Sequence, residues 1–135
     1  MSFLIDERLE KGKFLVGDLP LCRVFLNDDS RFPWLVLVPC VADVCEIYQL
    51  SHEMQATLIG EISSVSKVLC DYVDADKMNI ASFGNVVSQL HIHIVARFKT
   101  DPVWPDSVIG IKGYVSYNFE QKNKIISDLN RLLLF

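Results

Sequence analysis

At 135 residues, half of them apolar, the chain is long enough to bury one core without disulfides or a metal. Its formal net charge of −4 disfavours sequence-independent binding to a nucleic-acid backbone, which depends on basic patches. The N-terminal residues lack the pattern of a signal peptide, and no stretch approaches ~18 continuous apolar residues. We therefore expect one cytoplasmic domain over residues 1–135 that binds neither nucleic acid nor a membrane.

The first half of the chain predicts a short helix followed by three strands. Ile5 and Leu9 have helical spacing between charged residues, and Gly12 would end a helix over residues 2–10. Apolar runs typical of strands follow, separated by turn signals, at residues 14–16, 21–26 and 34–38. The links between these runs are too short for parallel crossovers, so the strands should be antiparallel.

A long helix is the clearest element of the second half. Ser51 can act as its N-cap, and apolar residues then recur at steps of three and four over residues 52–72. The preceding residues 43–49 allow one helical turn. Two further strands are predicted at residues 77–82 and 89–95.

A last helix is predicted near the C-terminus, after a loop that contains Trp104. Asn118 would cap this helix in a capping-box-like arrangement with Gln121. The buried stripe of the helix should consist of Phe119, Ile126, Leu129 and Leu133. The complete pattern predicts an α+β domain with a mainly antiparallel five-stranded sheet, one long amphipathic helix and a C-terminal helix.

The cysteines of the chain show no metal-binding or redox pattern. No CxxC pair occurs among Cys22, Cys40, Cys45 and Cys70, which lie mostly in apolar surroundings. We expect them to be reduced, buried thiols.

Residues 89–95, with the sequence QLHIHIV, contain two of the three histidines of the chain. A strand would divide this run between two faces, with Leu90, Ile92 and Ile94 on one and Gln89, His91 and His93 on the other. Alternate side chains of a strand lie roughly 6.5 to 7 Å apart, so both imidazoles can serve one ligand. The polar row therefore either lines a site or lies at an exposed surface.

The residues alone leave three interpretations of this pair open. The histidines could be polar positions on a solvated sheet face. They could bind zinc together with Cys40, Cys45, His52 or an acid, although no recognisable ligand spacing completes that set. They could also perform nucleophilic catalysis, because imidazole is a good neutral nucleophile near pH 7 and a good leaving group from a phosphoramidate.

The same run resembles the signature of the histidine triad superfamily of nucleotide hydrolases and transferases. That signature has three histidines separated by single apolar residues, and residues 89–95 match it except that Gln89 replaces the first histidine. The resemblance covers residues 14–105. Its other elements are the WLVLVP run at 34–39, the long helix, Asn79, Gly84, Asn85, Arg97 and the Trp104-Pro105 pair.

The resemblance implies a role for each residue of the polar row. His91 would be the nucleophile that becomes transiently nucleotidylated, and His93 would contact the phosphate. Gln89 would hydrogen-bond and orient its neighbours without carrying a proton. The expected function is therefore nucleotide hydrolysis or nucleotidyl transfer at the α-phosphate of a dinucleoside polyphosphate or a nucleoside phosphoramidate. This chemistry requires no metal or other cofactor.

The resemblance also implies the surroundings of the reaction centre. Asn27 or Asp28 would bind the ribose, and Asn85 would contact the phosphate side. The protein would form a homodimer in which two sheets join into one, and the loop with Trp104 would reach toward the partner's site.

A second function stays open beside catalysis. The chain could bind or sense a nucleotide with little or no turnover. Gln89 favours this alternative, as do Trp34 and Ala42, which stand where related enzymes often place supporting histidines. His52 matches no position of the family.

Overall fold

The computed structural model describes residues 3–133, which form five strands and three α-helices. The strands are β1 (Lys13–Asp18), β2 (Cys22–Asn27), β3 (Trp34–Pro39), β4 (Lys77–Ala81) and β5 (Ile92–Arg97). The helices are α1 (Glu7–Glu10), α2 (His52–Val73) and α3 (Phe119–Leu133), with a single 3₁₀ turn at Ile47–Gln49. Residue 2, where the first helix was expected to begin, lies outside the described residues.

The five strands form one sheet in the order β1-β2-β3-β5-β4, and every neighbouring pair is antiparallel. The strands pair along a meander except where β5 inserts between β3 and β4. The α+β fold class, the five-stranded antiparallel sheet and both long helices of the sequence prediction are thus confirmed.

The long helix α2 begins and ends as its sequence predicts. The Ser51 hydroxyl accepts a hydrogen bond of 3.1 Å from the Met54 N–H, and Asp74 ends the helix in the left-handed conformation with φ of 54°. Its apolar stripe packs on one face of the sheet through Leu58, Ile62, Val65 and Leu69. None of the helices in residues 3–133 is long and apolar enough to cross a membrane.

The opposite face of the sheet carries the histidines. On β3 and β5 the pairing of Val36 with His93 places these two side chains side by side on this face. The α1 residue Leu9 covers the neighbouring part of the face, where it packs with Phe25, Val36 and Val38. The sheet therefore separates a helix-covered core from a more open face with polar side chains.

The predicted strand over residues 89–95 begins later than expected. Leu90, Ile92 and Ile94 do point together into the helix-covered core. However, β5 starts at Ile92, because the Leu90 N–H bonds to the Val44 carbonyl (2.9 Å) and not to a neighbouring strand. Gln89 and His91 thus precede the strand.

All four cysteines were predicted to be buried, and two of them are not. Cys40 and Cys45 are exposed, because they lie in the connection to α2 after the chain has left the sheet. Cys22 is buried and Cys70 is half-buried, and all four are free thiols.

The predicted buried stripe of α3 is wrong at one residue. Leu129 is fully buried, and Ile126 and Leu133 pack at the edge of the core. Phe119, the first residue of the helix, is 74% exposed, and its ring contacts the Lys122 ammonium at 5.1 Å and not the core. The capping box of Asn118 and Gln121 is present in both directions, at 2.8 Å and 3.3 Å.

Candidate active site

His91 is held by the main chain immediately before β5. Its Nδ1 lies 2.7 Å from the carbonyl oxygen of Gln89, and only 7% of the residue is exposed. A carbonyl oxygen can only accept, so Nδ1 must carry the proton of the neutral ring. The lone pair of the neutral imidazole is therefore at Nε2, which makes no hydrogen bond within residues 3–133.

His93 is held from the neighbouring strand by Trp34. The indole Nε1–H of Trp34 donates a hydrogen bond of 3.1 Å to Nδ1 of His93, and the two rings meet edge to face with centroids 5.6 Å apart. An indole nitrogen is a donor only, so Nδ1 must be the unprotonated nitrogen of His93. The two histidines are consequently opposite tautomers.

The two imidazoles share one cavity. Their centroids lie 5.1 Å apart with the rings at 77°, so one phosphate group can reach both. The cavity has a volume of about 410 Å³. Its lining combines Lys13 of β1, the turn residues Gly84 and Asn85, and Ile109 of the loop before α3.

The electrostatics of the cavity keep one imidazole neutral. The pKa of His93 is lowered to about 4, first by burial and then by the nearby His91 and Lys13. Burial also lowers the pKa of the Lys13 ammonium. Arg8 borders the same cavity, but its guanidinium is bound to both carboxylate oxygens of Asp6. Among the described residues that line this cavity, Lys13 is therefore the cation that is not paired with a carboxylate.

The side chain of Gln89 is bound to the N-terminal segment and not to the histidines. Its side-chain oxygen accepts from the Asp6 N–H at 2.7 Å, and its side-chain nitrogen donates to the Leu4 carbonyl at 3.0 Å. The residue contacts His91 only through its main-chain carbonyl. That contact does not depend on which side chain stands at position 89.

The candidate ribose ligands lie in different surroundings. Asn27 is paired with Lys13 across β1 and β2, so its side chain lies on the sheet face that carries His93. Asp28 points away to the end of the loop before α3, where its carboxylate accepts from the Tyr117 N–H at 2.9 Å. Asn85 is exposed and lines the histidine cavity.

Trp104 does not line the histidine cavity of this chain. Its ring packs on the guanidinium of Arg97, with the central carbon 5.6 Å from the ring centroid. Ile109 and Gly110 of the same loop border the cavity in its place.

The zinc interpretation finds no ligand set in the described part of the chain. No group of three or more His, Cys, Asp or Glu residues among residues 3–133 could hold a metal ion. His52 begins α2 and is exposed, as are Cys40 and Cys45.

Sequence reasoning missed Lys13 and the bond between Trp34 and His93. Lys13 belongs to no motif, and a lysine at the start of a strand usually indicates only a solvated end. The hydrogen bond from Trp34 depends on the register that pairs Val36 with His93. The sign of this bond in the sequence is the indole itself, because it carries a donor N–H in an otherwise apolar strand.

The sequence and the fold of this chain are similar to those of known proteins of one family. A HIT domain family model matches residues 8–100. A histidine triad protein from Bradyrhizobium japonicum is 39% identical to the chain and has a TM-score of 0.95 over 98% of this chain and 99% of that chain. One from Marinobacter aquaeolei is also 39% identical, with a TM-score of 0.95 over 98% of this chain and 97% of that chain.

A third histidine triad protein, from Sinorhizobium meliloti, is 38% identical, with a TM-score of 0.94 over 97% of both chains. A comparison with curated proteins gives no match. The family model covers more than half of the 135 residues. The chain belongs to the HIT domain family.

Proposed function

We propose that the protein is a nucleotide hydrolase or nucleotidyl transferase in which His91 attacks the α-phosphorus of a nucleoside phosphate derivative. One observation carries this proposal: the Gln89 carbonyl holds Nδ1–H of His91 at 2.7 Å, so the lone pair is at Nε2. An oriented neutral imidazole beside an anion-binding group is what nucleophilic phosphoryl chemistry requires. Membership in the HIT domain family supports the same class of reaction.

The reaction proceeds in two displacements. Nε2 of His91 forms a P–N bond while the P–O bond to the leaving group breaks, and that electron pair departs with the leaving group. The substituted ring becomes positive, and its Nδ1–H remains bonded to the Gln89 carbonyl, which stabilises the charge. Water then attacks phosphorus, the P–N electron pair returns to Nε2, and the water proton is released.

The remaining candidate residues surround this centre. His93 binds a non-bridging phosphate oxygen, and Asn85 contacts the phosphate side from the glycine turn. Asn27 is the ribose ligand in this proposal, because Asp28 is already bonded to the Tyr117 main chain. Lys13 supplies positive charge to the phosphates beyond the α position.

Nucleotide sensing without turnover is the second candidate function. Both hydrogen-bonding groups of the Gln89 amide are occupied by main-chain atoms of Leu4 and Asp6. The Gln89 side chain can therefore neither take nor give a proton during the reaction. A site of this kind could bind the α-phosphate and release it unchanged.

We also propose a homodimer and a cytoplasmic location. The sheet ends at β4, an edge strand that carries the exposed apolar side chain of Ile80. Pairing two β4 strands would join two sheets and would bring the loop with Trp104 toward the partner's site. The four free cysteines fit a reducing compartment. Analytical ultracentrifugation of the wild type and of Ile80→Asp tests the dimer, and only the variant should sediment as a monomer.

Trapping the covalent intermediate tests the proposed reaction. The wild type is incubated with an α-³²P-labelled dinucleoside polyphosphate and a nucleoside phosphoramidate, and protein-bound label is measured after rapid quenching. We expect an acid-labile, base-stable adduct that is absent in His91→Ala and present in His52→Ala, because His52 is exposed at the start of α2. Nucleotide binding without label or turnover would instead establish the sensor.

A further inference from the structure

Trp34 determines which nitrogen of His93 can carry a proton. The indole N–H points at Nδ1 from 3.1 Å, and Val36 on the same strand is directly paired with His93. The backbone pairing of β3 with β5 therefore fixes both partners of this hydrogen bond. The rings also contact each other edge to face, which restricts rotation of the imidazole.

Protonation of His93 would have to break this arrangement. The neutral ring carries its hydrogen at Nε2, so a second proton could enter only at Nδ1. Two N–H groups would then face each other at the Trp34 contact, and neither can accept. The positive form is thus opposed by a specific donor as well as by burial.

The charged groups around His93 act in the same direction. His91 precedes β5 and lies 5.1 Å away between ring centroids, and Lys13 reaches the cavity from β1. Arg8 approaches from α1 but is paired with Asp6. The pKa of His93 is lowered to about 4 by burial, His91 and Lys13, in that order. No carboxylate lines this cavity among the described residues.

We propose that Trp34 is a positioning residue that locks His93 as a neutral Nε2–H donor, and that the site in consequence favours leaving groups that depart as anions without a proton. This inference rests on the proposed function, since it concerns the same cavity and the same reaction. It assigns a role to Trp34, one of the two positions, with Ala42, at which the resemblance implies a supporting histidine.

This lock, the Trp34 hydrogen bond that keeps His93 neutral with its hydrogen at Nε2, determines how the scissile bond breaks. The Nε2–H of His93 hydrogen-bonds a non-bridging oxygen and keeps its proton throughout. When His91 attacks a dinucleoside polyphosphate, the P–O electron pair departs with a nucleoside polyphosphate anion that needs no proton and is attracted to Lys13. An amine leaving group must instead gain a proton as the P–N bond breaks, and neutral His93 is too weak an acid to give up its Nε2 proton. The preferred substrate class is therefore the dinucleoside polyphosphates.

Nitrogen chemical shifts of the imidazoles test the lock without any turnover. In uniformly ¹⁵N-labelled protein between pH 5 and 8, we expect His93 to remain neutral with its hydrogen at Nε2. In Trp34→Phe, which keeps an aromatic ring and loses the donor, the Nδ1–H form or the imidazolium should appear within this range. A protonated Nδ1 of His93 in the wild type overturns the lock, as does an unchanged His93 signal in Trp34→Phe. Thermal unfolding of the variant verifies that it is folded.

Competition between two substrates tests the consequence for specificity. At pH 6 we expect Trp34→Phe to lower the ratio of kcat/KM for a dinucleoside polyphosphate over a phosphoramidate about tenfold, the typical effect of one lost hydrogen bond of this kind. Trp34→His restores a donor, and its protonated form donates at both nitrogens and adds a positive charge that also opposes protonation of His93, so its ratio should stay near the wild-type value at pH 6.

The two tests separate failure of the lock from failure of the proposed function. A ratio that Trp34→Phe leaves unchanged, despite an altered His93 signal, overturns the substrate preference. A wild type that never forms the His91 adduct overturns the proposed function, and the nitrogen shifts still decide the lock. An adduct that forms normally while His93 titrates near pH 6.5 overturns the lock alone.

Discussion

The two ends of β5 carry polar side chains on the same face of the sheet, yet they differ in how those groups are satisfied. At the first end, the imidazoles of His91 and His93 each have one nitrogen bonded, and Nε2 of each is free within residues 3–133. At the far end, the Arg97 guanidinium donates to Asp101 at 2.8 and 3.1 Å and to Asn79 at 2.9 Å.

This difference in hydrogen bonding separates the candidate reactive site from a structural one. Arg97 is only 1% exposed, and its guanidinium is paired with the Asp101 carboxylate and bonded to the Asn79 side chain. A buried pair of this kind holds the loop in place and is shielded from a ligand. Unbonded nitrogens beside a cavity do the opposite, because they are free to interact with a substrate. A tryptophan accompanies each centre, Trp34 as a donor and Trp104 as a ring face.

The largest effect should come from removing the proposed nucleophile. His91→Ala should reduce turnover by about 10⁴-fold or more, which corresponds to about 5 kcal/mol of transition-state stabilisation. The free energy of unfolding should fall by less than about 2 kcal/mol, because a single partly paired side chain is lost. Single-turnover kinetics and urea denaturation measure the two quantities. An active His91→Ala protein would contradict the assignment of the nucleophile.

A substitution at the far end of β5 should mainly lower the stability of the protein. Asp101→Ala leaves the buried Arg97 charge without its partner and should lower the free energy of unfolding by about 3 to 5 kcal/mol. Asp18→Ala removes an exposed pair with Arg23 of similar length, 2.7 Å, and should cost less than about 1 kcal/mol. Urea denaturation of both variants gives the difference. Equal losses would show that Arg97 does not depend on this pair.

The pH dependence of stability should sharpen the contrast further. The pKa of His93 is lowered to about 4 in the folded state, whereas an unfolded histidine titrates near about 6.5. Between these two pKa values the unfolded state therefore binds more protons than the folded state. The contribution of neutral His93 to the free energy of unfolding is complete above about pH 6.5 and is lost progressively as the pH falls to about 4.

Removing the titrating group should flatten this loss. A glutamine at position 93 can still accept a hydrogen bond from Trp34 but cannot titrate. We expect His93→Gln to remove about 2 to 3 kcal/mol of the decline in the free energy of unfolding between pH 6.5 and 4. The matched variant His52→Gln should retain the wild-type slope, since His52 is exposed. Denaturant titrations at several pH values provide the measurement. Parallel slopes in all three proteins would contradict a neutral, buried His93.

Local sequence patterns were sufficient for most of the fold and for part of this comparison. The cap at Ser51 and the apolar period of α2 act within a few residues, so they could be read directly from the chain. Asn79 and Arg97 were noticed only as features of a resemblance. Their contact joins β4 to the end of β5, 18 residues apart, and no local pattern encodes it.

The exposure of individual side chains was harder to predict where the chain leaves a regular element. Cys40 and Cys45 have apolar neighbours in sequence, but the chain turns away from the sheet after Pro39 and exposes them. Phe119 falls in phase with the stripe of α3, yet this first residue of the helix is exposed and does not join the core cluster. Periodicity predicts the direction in which a side chain points. It does not predict whether another element of the fold covers that side chain.

The smallest effect concerns Gln89, the residue at which the chain departs from the triad. Gln89→Ala removes two hydrogen bonds to Leu4 and Asp6 and should lower the free energy of unfolding by about 1 to 2 kcal/mol. The carbonyl that orients His91 belongs to the main chain and remains, so nucleotidylation should slow by less than about tenfold. Quench-flow labelling beside urea denaturation separates these outcomes. Complete loss of labelling in a folded Gln89→Ala protein would show that the side chain itself acts in the reaction, and would move it from the structural group of residues to the reactive one.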